Sequence, residues 1–254
     1  MAKQFQVDSG GTLLTSLLGY WKLDDVNDFY STKNLTNNNS ATFAAGKIGN
    51  GVSLAHASNQ YLDTTDTLGV DGGNFSWAGW VKVGTAPSSG VVNAIFVQGN
   101  NTSKVGFWLS YFNNSGTLQL FADRGKFGVG DQTGTYNTTL TAGTWYHLVY
   151  TYDGSTILVY LNNSQVISFA ASGSGSATGF AGFGIGRDSD TPTGRTWDGM
   201  IDEAAAWSKA LSTTEISDLY NGGSGQTMVN VLGPEVGSVI SQPTAHWFPQ
   251  VISF

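Results

Sequence analysis

The sequence contains no cysteine. Disulfides, thiolate nucleophiles and zinc sites built on sulfur are therefore excluded. Charge is also scarce. Asp, Glu, Lys and Arg make up 11% of the 254 residues, against a usual ~25%. The surface must then be covered by Asn, Ser, Thr and Gly, as suits a virion exterior or a secreted protein. Lys and Arg number 11, are scattered, and leave a net charge of −7. The isoelectric point is about 4.7. With no basic stripe to neutralise phosphates, nucleic acid is not expected as a partner, and neither is an anionic membrane surface. No stretch approaches the ~20 apolar residues of a membrane span. The N-terminal "TLLTSLLGY" is broken and lacks a small-residue cleavage site, so it does not read as a secretory signal. The chain starts at Met, and the expectation is either a leader removed from it or release by a route such as lysis. The three histidines, His56, His147 and His246, are far apart and show no HxH or HExxH spacing. No Gly-x-Ser-x-Gly elbow presents a serine nucleophile. The Gly-rich "GVGDQTG" and "GFGIGRD" precede no helical pattern, so they read as turns or close-packed strands rather than phosphate cradles.

What is present is a repeated strand signal with an ample aromatic supply of 8 Trp, 10 Tyr and 14 Phe. "FSWAGWVKV" (75–83) alternates, with Phe75, Trp77, Gly79 and Val81 on one face and Ser76, Ala78, Trp80 and Lys82 on the other. "VGFWLSYF" (105–112) and "TLQLFAD" (117–123) flank the turn-rich Asn113-Asn114-Ser115-Gly116. "WYHLVYTY" (145–152) and "STILVYLN" (155–162) flank Asp153-Gly154, a strong hairpin signal. "FAGFGIG" (180–186) and "GMIDEAAAW" (199–207) complete the set. Short strands between Gly/Asn/Ser turns predict an all-β fold, an antiparallel two-sheet β-sandwich or jelly roll. One short helix is expected in "LSTTEISDLYNGG". Ser212 and Glu215 form a capping box, Ile216, Leu219 and Tyr220 an apolar stripe, and Gly222 the stop. The segment 36–44, "TNNNSATFA", reads as a polar loop.

Both ends read as attachments. Residues 1–16 form an N-terminal arm, 17–223 the jelly-roll domain and 224–254 a C-terminal tail. The tail gathers Trp247, Phe248, Val251, Ile252 and Phe254 around Pro249. It is a terminal strand on its own domain, a docking segment for another chain, or a disordered end.

Several segments together resemble the laminin-G-like, concanavalin A-like jelly rolls: "GYWKLDD" (19–25), "GKIGNGVSL" (46–54), "YLDT" (61–64), "FSWAGWVKV", "WYHLVYTYDGSTILVYLNNSQV" (145–166), "FGIGR" (183–187) and "WDGMIDEAAAWSKALSTTEISDLY" (197–220). They follow the family's order and spacing over about residues 17–223. The resemblance implies a sandwich that binds sugars or proteins and, in many members, a structural calcium. Similar domains are common in bacteriophage virions.

The acids Asp202 and Glu203 need placing. Simple alternation sends them to opposite faces, so they cannot form one acid–base pair of the ~5–9.5 Å separation that glycosidases use. Glucanases of similar fold carry E-x-D-x-x-E, and no such run occurs here. The chain has three Glu in all, Glu203, Glu215 and Glu235. The family's first and last strands are neighbours, which implies a calcium cage from Asp24, Asp25, Asp28 and Asp202. Hard oxygen ligands of this kind favour calcium over zinc or copper. The sequence "DDVNDFYSTKN" departs from the family's Asp-x-Ser-Gly turn, and the alternative is that Asp202 simply accepts hydrogen bonds. Sugars stack on aromatic faces and are oriented by polar groups. Trp108, on the face with small Gly106 and Ser110, is either core or such a platform. Arg187, Asp188, Arg195 and Trp197, in "GRDSDTPTGRTWDG", form either a binding rim or a self-satisfied loop. The reading is a non-catalytic virion surface protein of a bacteriophage, decorating the capsid or tail. Its sandwich would display a glycan-adhesive surface, its tail would contact other virion proteins, and it could form a homo-oligomer. The alternative is a secreted, extracellular lectin or carbohydrate-binding module.

Overall fold

The computed structural model describes residues 12–68, 73–100, 105–126, 130–172, 182–188 and 194–227. Among these the strands are β1 (Leu17–Trp21), β2 (Thr36–Asn38), β3 (Thr42–Ala45), β4 (Asn50–Leu54), β5 (Tyr61–Thr64), β6 (Phe75–Val83), β7 (Val92–Asn100), β8 (Val105–Asn114), β9 (Thr117–Lys126), β10 (Gly130–Asn137), β11 (Trp145–Tyr152), β12 (Thr156–Leu161), β13 (Ser164–Ala170), β14 (Phe183–Ile185) and β15 (Gly199–Trp207). They form two antiparallel sheets, the expected sandwich. The first runs β13-β12-β11-β6-β15-β4-β3, and β1 pairs with the second half of β15. The second runs β10-β9-β8-β7-β14-β5-β2.

Alternation builds the core. Phe75, Trp77 and Val81 of β6 point inward, as do Phe107, Leu109 and Tyr111 of β8. Aromatic rings bridge the sheets: Trp77 stacks on Phe96 at 4.6 Å, Phe75 on Phe107 at 4.9 Å and Trp21 on Phe183 at 4.9 Å. Such pairs add about 0.5–1.5 kcal/mol each beyond burial. The Asp153-Gly154 hairpin forms as read. Asp153 Oδ1 accepts from the N–H groups of Ser155 and Thr156 at 2.8 Å each, and Gly154 takes a φ of +97° that a side chain would resist.

The outer face of the first sheet is itself covered. Helix α1 (Thr213–Tyr220) lays Ile216 and Leu219 on it, beside Leu13 from the 3-10 turn Thr12–Leu14. The capping box is present in both directions between Ser212 and Glu215. Three expectations need correction. Asn221, not Gly222, takes the left-handed cap position, at φ 46°. The stretch read as a polar loop contains β2 and β3, whose exposed edge positions need no apolar residues. Leu13 and Thr227 are 0% and 3% exposed, so the packed unit reaches a few residues beyond 17–223 on each side. The tail residues Trp247, Phe248, Val251, Ile252 and Phe254 lie outside the described residues, as does His246.

Removing the cap tests whether α1 is held by local chemistry as well as packing. Ser212→Ala should lower unfolding free energy by about 1 kcal/mol, read as a reduced urea midpoint with unchanged slope.

Candidate functional site

Two polar places interrupt the apolar pattern. The first centres on β15. Ile201, Ala204 and Ala206 all face the core, which strict alternation forbids. The register slips between Asp202 and Ala205, and Glu203 has φ +51°. This bulge adds one residue, so Asp202 and Glu203 both lie on the outer side of the first sheet. The expectation that they look to opposite faces is therefore corrected: a bulge, unlike a regular strand, breaks the period of two.

Both acids are nonetheless sealed from solvent, at 0% and 6% exposure. Asp202 Oδ2 accepts from the N–H groups of Lys47 and Ile48 at 2.7 and 2.9 Å, and Oδ1 from the N–H of Glu203 at 2.8 Å. Gly46 makes this approach possible, because a Cβ there would sit 2.5 Å from Oδ2. Glu203 accepts from the Tyr20 hydroxyl, which also lies 2.8 Å from Thr227 Oγ1. Burial raises Asp202 to about 7 and Glu203 to about 8. Nearby His147, 2% exposed beside Trp80 and Tyr220, is lowered by burial to about 3.

The four carboxylates read as calcium ligands do not fit a cage. Asp24 pairs with Lys22 at 2.6 Å and accepts from Asn50 N–H. Asp25 accepts from the backbone and side chain of Asn27. Asp28 caps the N–H groups of Tyr20, Tyr30, Ser31 and Lys33. Asp202 lies close enough to Asp24 for their charges to interact, as neighbouring β1 and β15 imply. Its oxygens, however, are spent on backbone donors. Calcium needs about 6–8 oxygens converging on one point, and among the described residues no three His, Cys, Asp or Glu converge on one.

The second place is a cavity of about 220 Å³ on the outer face of the second sheet. Trp108 and Ser110 of β8 face it, with Phe121 and Asp123 of β9 beside them in register. On the other flank Ala94 of β7 pairs with Ser110, and a register shift follows between Ala94 and Phe96. That irregularity frees the Ala94 N–H to bond the Arg195 carbonyl at 2.9 Å, while Gly186 N–H bonds Ile95 O at 2.7 Å. These two bonds tie Gly186 and Arg195, which follow β14, to β7. Asp188 and Arg195 thereby reach the cavity, their Oδ2 and Nη1 atoms 2.7 Å apart.

Of the five residues proposed for glycans, Trp108, Asp188 and Arg195 meet in this cavity. Arg187 and Trp197 do not line it. The Arg187 guanidinium pairs with Asp63 and lies 4.9 Å over the Tyr61 ring, and its aliphatic stem crosses Gly184, where a Cβ would sit 2.6 Å from Arg187 Cγ. Trp197 is 0% exposed and donates its Nε1–H to Met200 O at 3.3 Å. It cannot stack on a sugar, because its ring is used in the core, where it anchors the loop that carries Arg195. Asp123 and Phe121 were missed. Their signal was available, since both alternate with core Leu120 and Ala122 opposite Trp108 and Ser110.

The fold and this cavity define a β-sandwich of jelly-roll type with a concave polar–aromatic site on one sheet. Residues 56–217 match the model of the concanavalin A-like lectin/glucanases superfamily, and the chain belongs to that family. Among solved structures it is similar to domain 4 of AbnA, an extracellular GH43 arabinanase from Geobacillus stearothermophilus, in complex with arabinotriose. The TM-score is 0.59 and the identity 21%, over 80% of this chain and 97% of that one. It is also similar to the binding domain of botulinum neurotoxin DC in complex with SialylT (TM-score 0.64, 11% identity, 82% of this chain and 51% of that one). A third is the binding domain of Paraclostridial Mosquitocidal Protein 1 (TM-score 0.64, 13% identity, 82% and 52%). The chain thus spans about half the length of these last two binding domains. No protein of curated function matches.

The buried acids predict an unusual pH dependence. Asp202 and Glu203 titrate higher in the fold than in the unfolded chain, so their contribution is present below about pH 4 and is lost as pH rises toward 8. His147, lowered in the fold, opposes this only below its unfolded value of about 6.5. With two acids against one base, the urea midpoint should fall between pH 5 and pH 8, and Glu203→Gln should flatten that fall. A midpoint higher at pH 8 than at pH 5 would contradict the assignment.

Proposed function

We propose that the chain is a non-catalytic glycan-binding domain and that the cavity on the second sheet is its site. The observation carrying this is the meeting of Trp108, Asp188 and Arg195, from separate segments, around one concavity. An aromatic surface beside hydrogen-bonding groups of fixed orientation is the composition sugar recognition needs. The arabinanase domain in complex with arabinotriose and the toxin domain in complex with SialylT support the reading through the shared fold. The absence of catalysis is supported by the sealing of Asp202 and Glu203, which leaves that acid pair out of reach of a polymer.

Glycan-array screening followed by titration tests this. Trp108→Ala and Arg195→Ala should each weaken binding about tenfold or more, as loss of an anchoring contact does. Arg195→Ala should leave thermal unfolding nearly unchanged, because its side chain is 47% exposed. Purified protein should release no reducing sugar from the polymers it binds. Release of such sugar, or binding indifferent to both substitutions, removes the proposal.

We also propose that the domain sits on a bacteriophage particle, joined to other virion proteins by the tail bearing Trp247, Phe248, Val251, Ile252 and Phe254; an extracellular lectin is the alternative. The low charged content and the clustered tail aromatics support this. Truncation after residue 227 should leave a folded sandwich that no longer co-sediments with particles. Retained co-sedimentation would argue against a docking tail.

A further inference from the structure

We infer that Asn221 is a modification site, whose side-chain amide is lost spontaneously to water through the glycine that follows it, and that this loss unlatches the segment 224–227 from the outer face of the first sheet. The inference does not rest on the glycan-binding reading. The sequence has two Asn-Gly pairs, Asn50-Gly51 and Asn221-Gly222, and both carry the same chemistry. The glycine nitrogen gives up its proton to base and attacks Cγ of the asparagine side chain. A C–N bond forms, the amide nitrogen leaves as ammonia, and a cyclic succinimide remains. Water then adds at one of its two carbonyls. The product is an aspartate in the normal chain, or one linked through its side chain. Glycine favours the attack because no Cβ obstructs the approach.

The fold separates the two pairs. Asn50 and Gly51 are held in the β4 ladder, opposite Ala45 and Ala44. The Asn50 N–H also bonds Asp24 Oδ1 at 2.7 Å, and a Cβ on Gly51 would sit 2.9 Å from Ile201 O and 3.2 Å from Asp202 Cβ. The rotation that brings nitrogen to Cγ there requires β4 to leave the sheet. Asn221 and Gly222, by contrast, are exposed and end α1. Asn221 is left-handed at φ 46°, and Gly222 and Gly223 follow at 59° and 90°. Nothing lies within 4 Å of the place a Cβ on Gly222 would take. Rotation here needs only the fraying of a helix end, which sits at the low end of local opening energies.

The amide that is lost is also a latch. Asn221 Nδ2 donates to Gly225 O at 3.0 Å. Gly225 is buried, so close to its neighbours that a Cβ would sit 3.0 Å from Trp80 Nε1 and from Ile48 Cδ1. Two residues on, Thr227 Oγ1 lies 2.8 Å from the Tyr20 hydroxyl. Conversion replaces the donor by a carboxylate, which only accepts and would face a carbonyl oxygen. It also puts negative charge at the C-terminal end of α1, where the last turn holds no basic residue and the helix dipole disfavours an anion. Linkage through the side chain adds a methylene to the backbone at the cap as well. Each change favours lifting 224–227 away from Trp80.

The experiment stores the whole chain in neutral and in mildly alkaline buffer and maps its peptides by mass spectrometry, with an isoaspartyl methyltransferase to mark the side-chain-linked product. Asn221 should convert about tenfold or more faster than Asn50, because only Asn50 needs a sheet strand to open, and faster in the alkaline buffer. Hydrogen exchange then reads the latch at the amides of Ser224 and Gly225, which donate to Asn221 O and Tyr220 O in the fold. Their exchange should quicken about fivefold to tenfold with conversion, as loss of one hydrogen bond allows. Freshly prepared Asn221→Asp should show the faster exchange at once. Asn221→Gly, which keeps the left-handed cap and has no amide to lose, should exchange at a rate that storage does not change. Conversion of Asn50 as fast as Asn221, or no conversion at Asn221, overturns the site. Unchanged exchange in both the converted chain and Asn221→Asp overturns the latch, as does an Asn221→Gly chain that drifts on storage like the unsubstituted one.

Discussion

Alternation of side chains about each strand is the constraint on which this molecule depends. With a period of two, each strand commits half its residues to the space between the sheets, and the aromatic stacks of Trp77, Phe96, Phe75 and Phe107 can form only because that commitment is kept. Both polar places adjoin a break in it. At Glu203 an added residue turns two neighbouring acids to one side of β15. Past Ala94 a slip in β7 releases a backbone donor, and the loop carrying Arg195 is tied there. A bulge leaves backbone or side-chain groups without ladder partners, and here those groups organise what lies above the sheet.

The two breaks have opposite consequences. Above β15 the space is closed by α1, by residues 46–48 and by Thr227, so the acids lose water and rise to about 7 and 8. Retaining them costs stability near neutral pH, offset by N–H donors from Lys47 and Ile48 and by the Tyr20 hydroxyl. A buried polar cluster of this kind is worth keeping when it fixes one arrangement over others, and it holds Thr227, at the root of the tail, against the sheet. Above β7 and β8 the same kind of irregularity adjoins a concavity.

Much of the fold could be read from residue order, because its signals are local. The alternation of 75–83, the Asp153-Gly154 turn and the Ser212/Glu215 box each depend on residues a few positions apart. The outward face of Trp108 was legible for the same reason. Glu203 was not, because no glycine marks its left-handed backbone and the bulge is imposed by pairing with β6 and β1. Arg187 and Arg195 have similar local surroundings, yet their fates differ through partners more than ninety residues distant in sequence: Asp63 and Tyr61 claim one, and the backbone of Ala94 places the other. Trp197 reads as part of a binding rim because charged residues surround it in the chain. Its burial is decided by the space between sheets, which sequence spacing does not report.

The pair of Asp188 and Arg195 shows why such long-range placement matters for recognition. A partly exposed ion pair contributes little to stability, about 0–1 kcal/mol, so stability does not explain it. Its effect lies in orientation. Arg195 is held by its own carbonyl at Ala94 and by Asp188 at its guanidinium, and Trp197 pins the next turn of chain into the core. These contacts restrict the rotamer freedom that a lone surface arginine would keep. Restraint of this kind lowers the ordering cost of a contact made there, commonly about 0.5–1.5 kcal/mol per side chain. In a chain where only 11% of residues are charged, pairing two of them over an aromatic-lined cavity concentrates scarce polar chemistry at one place.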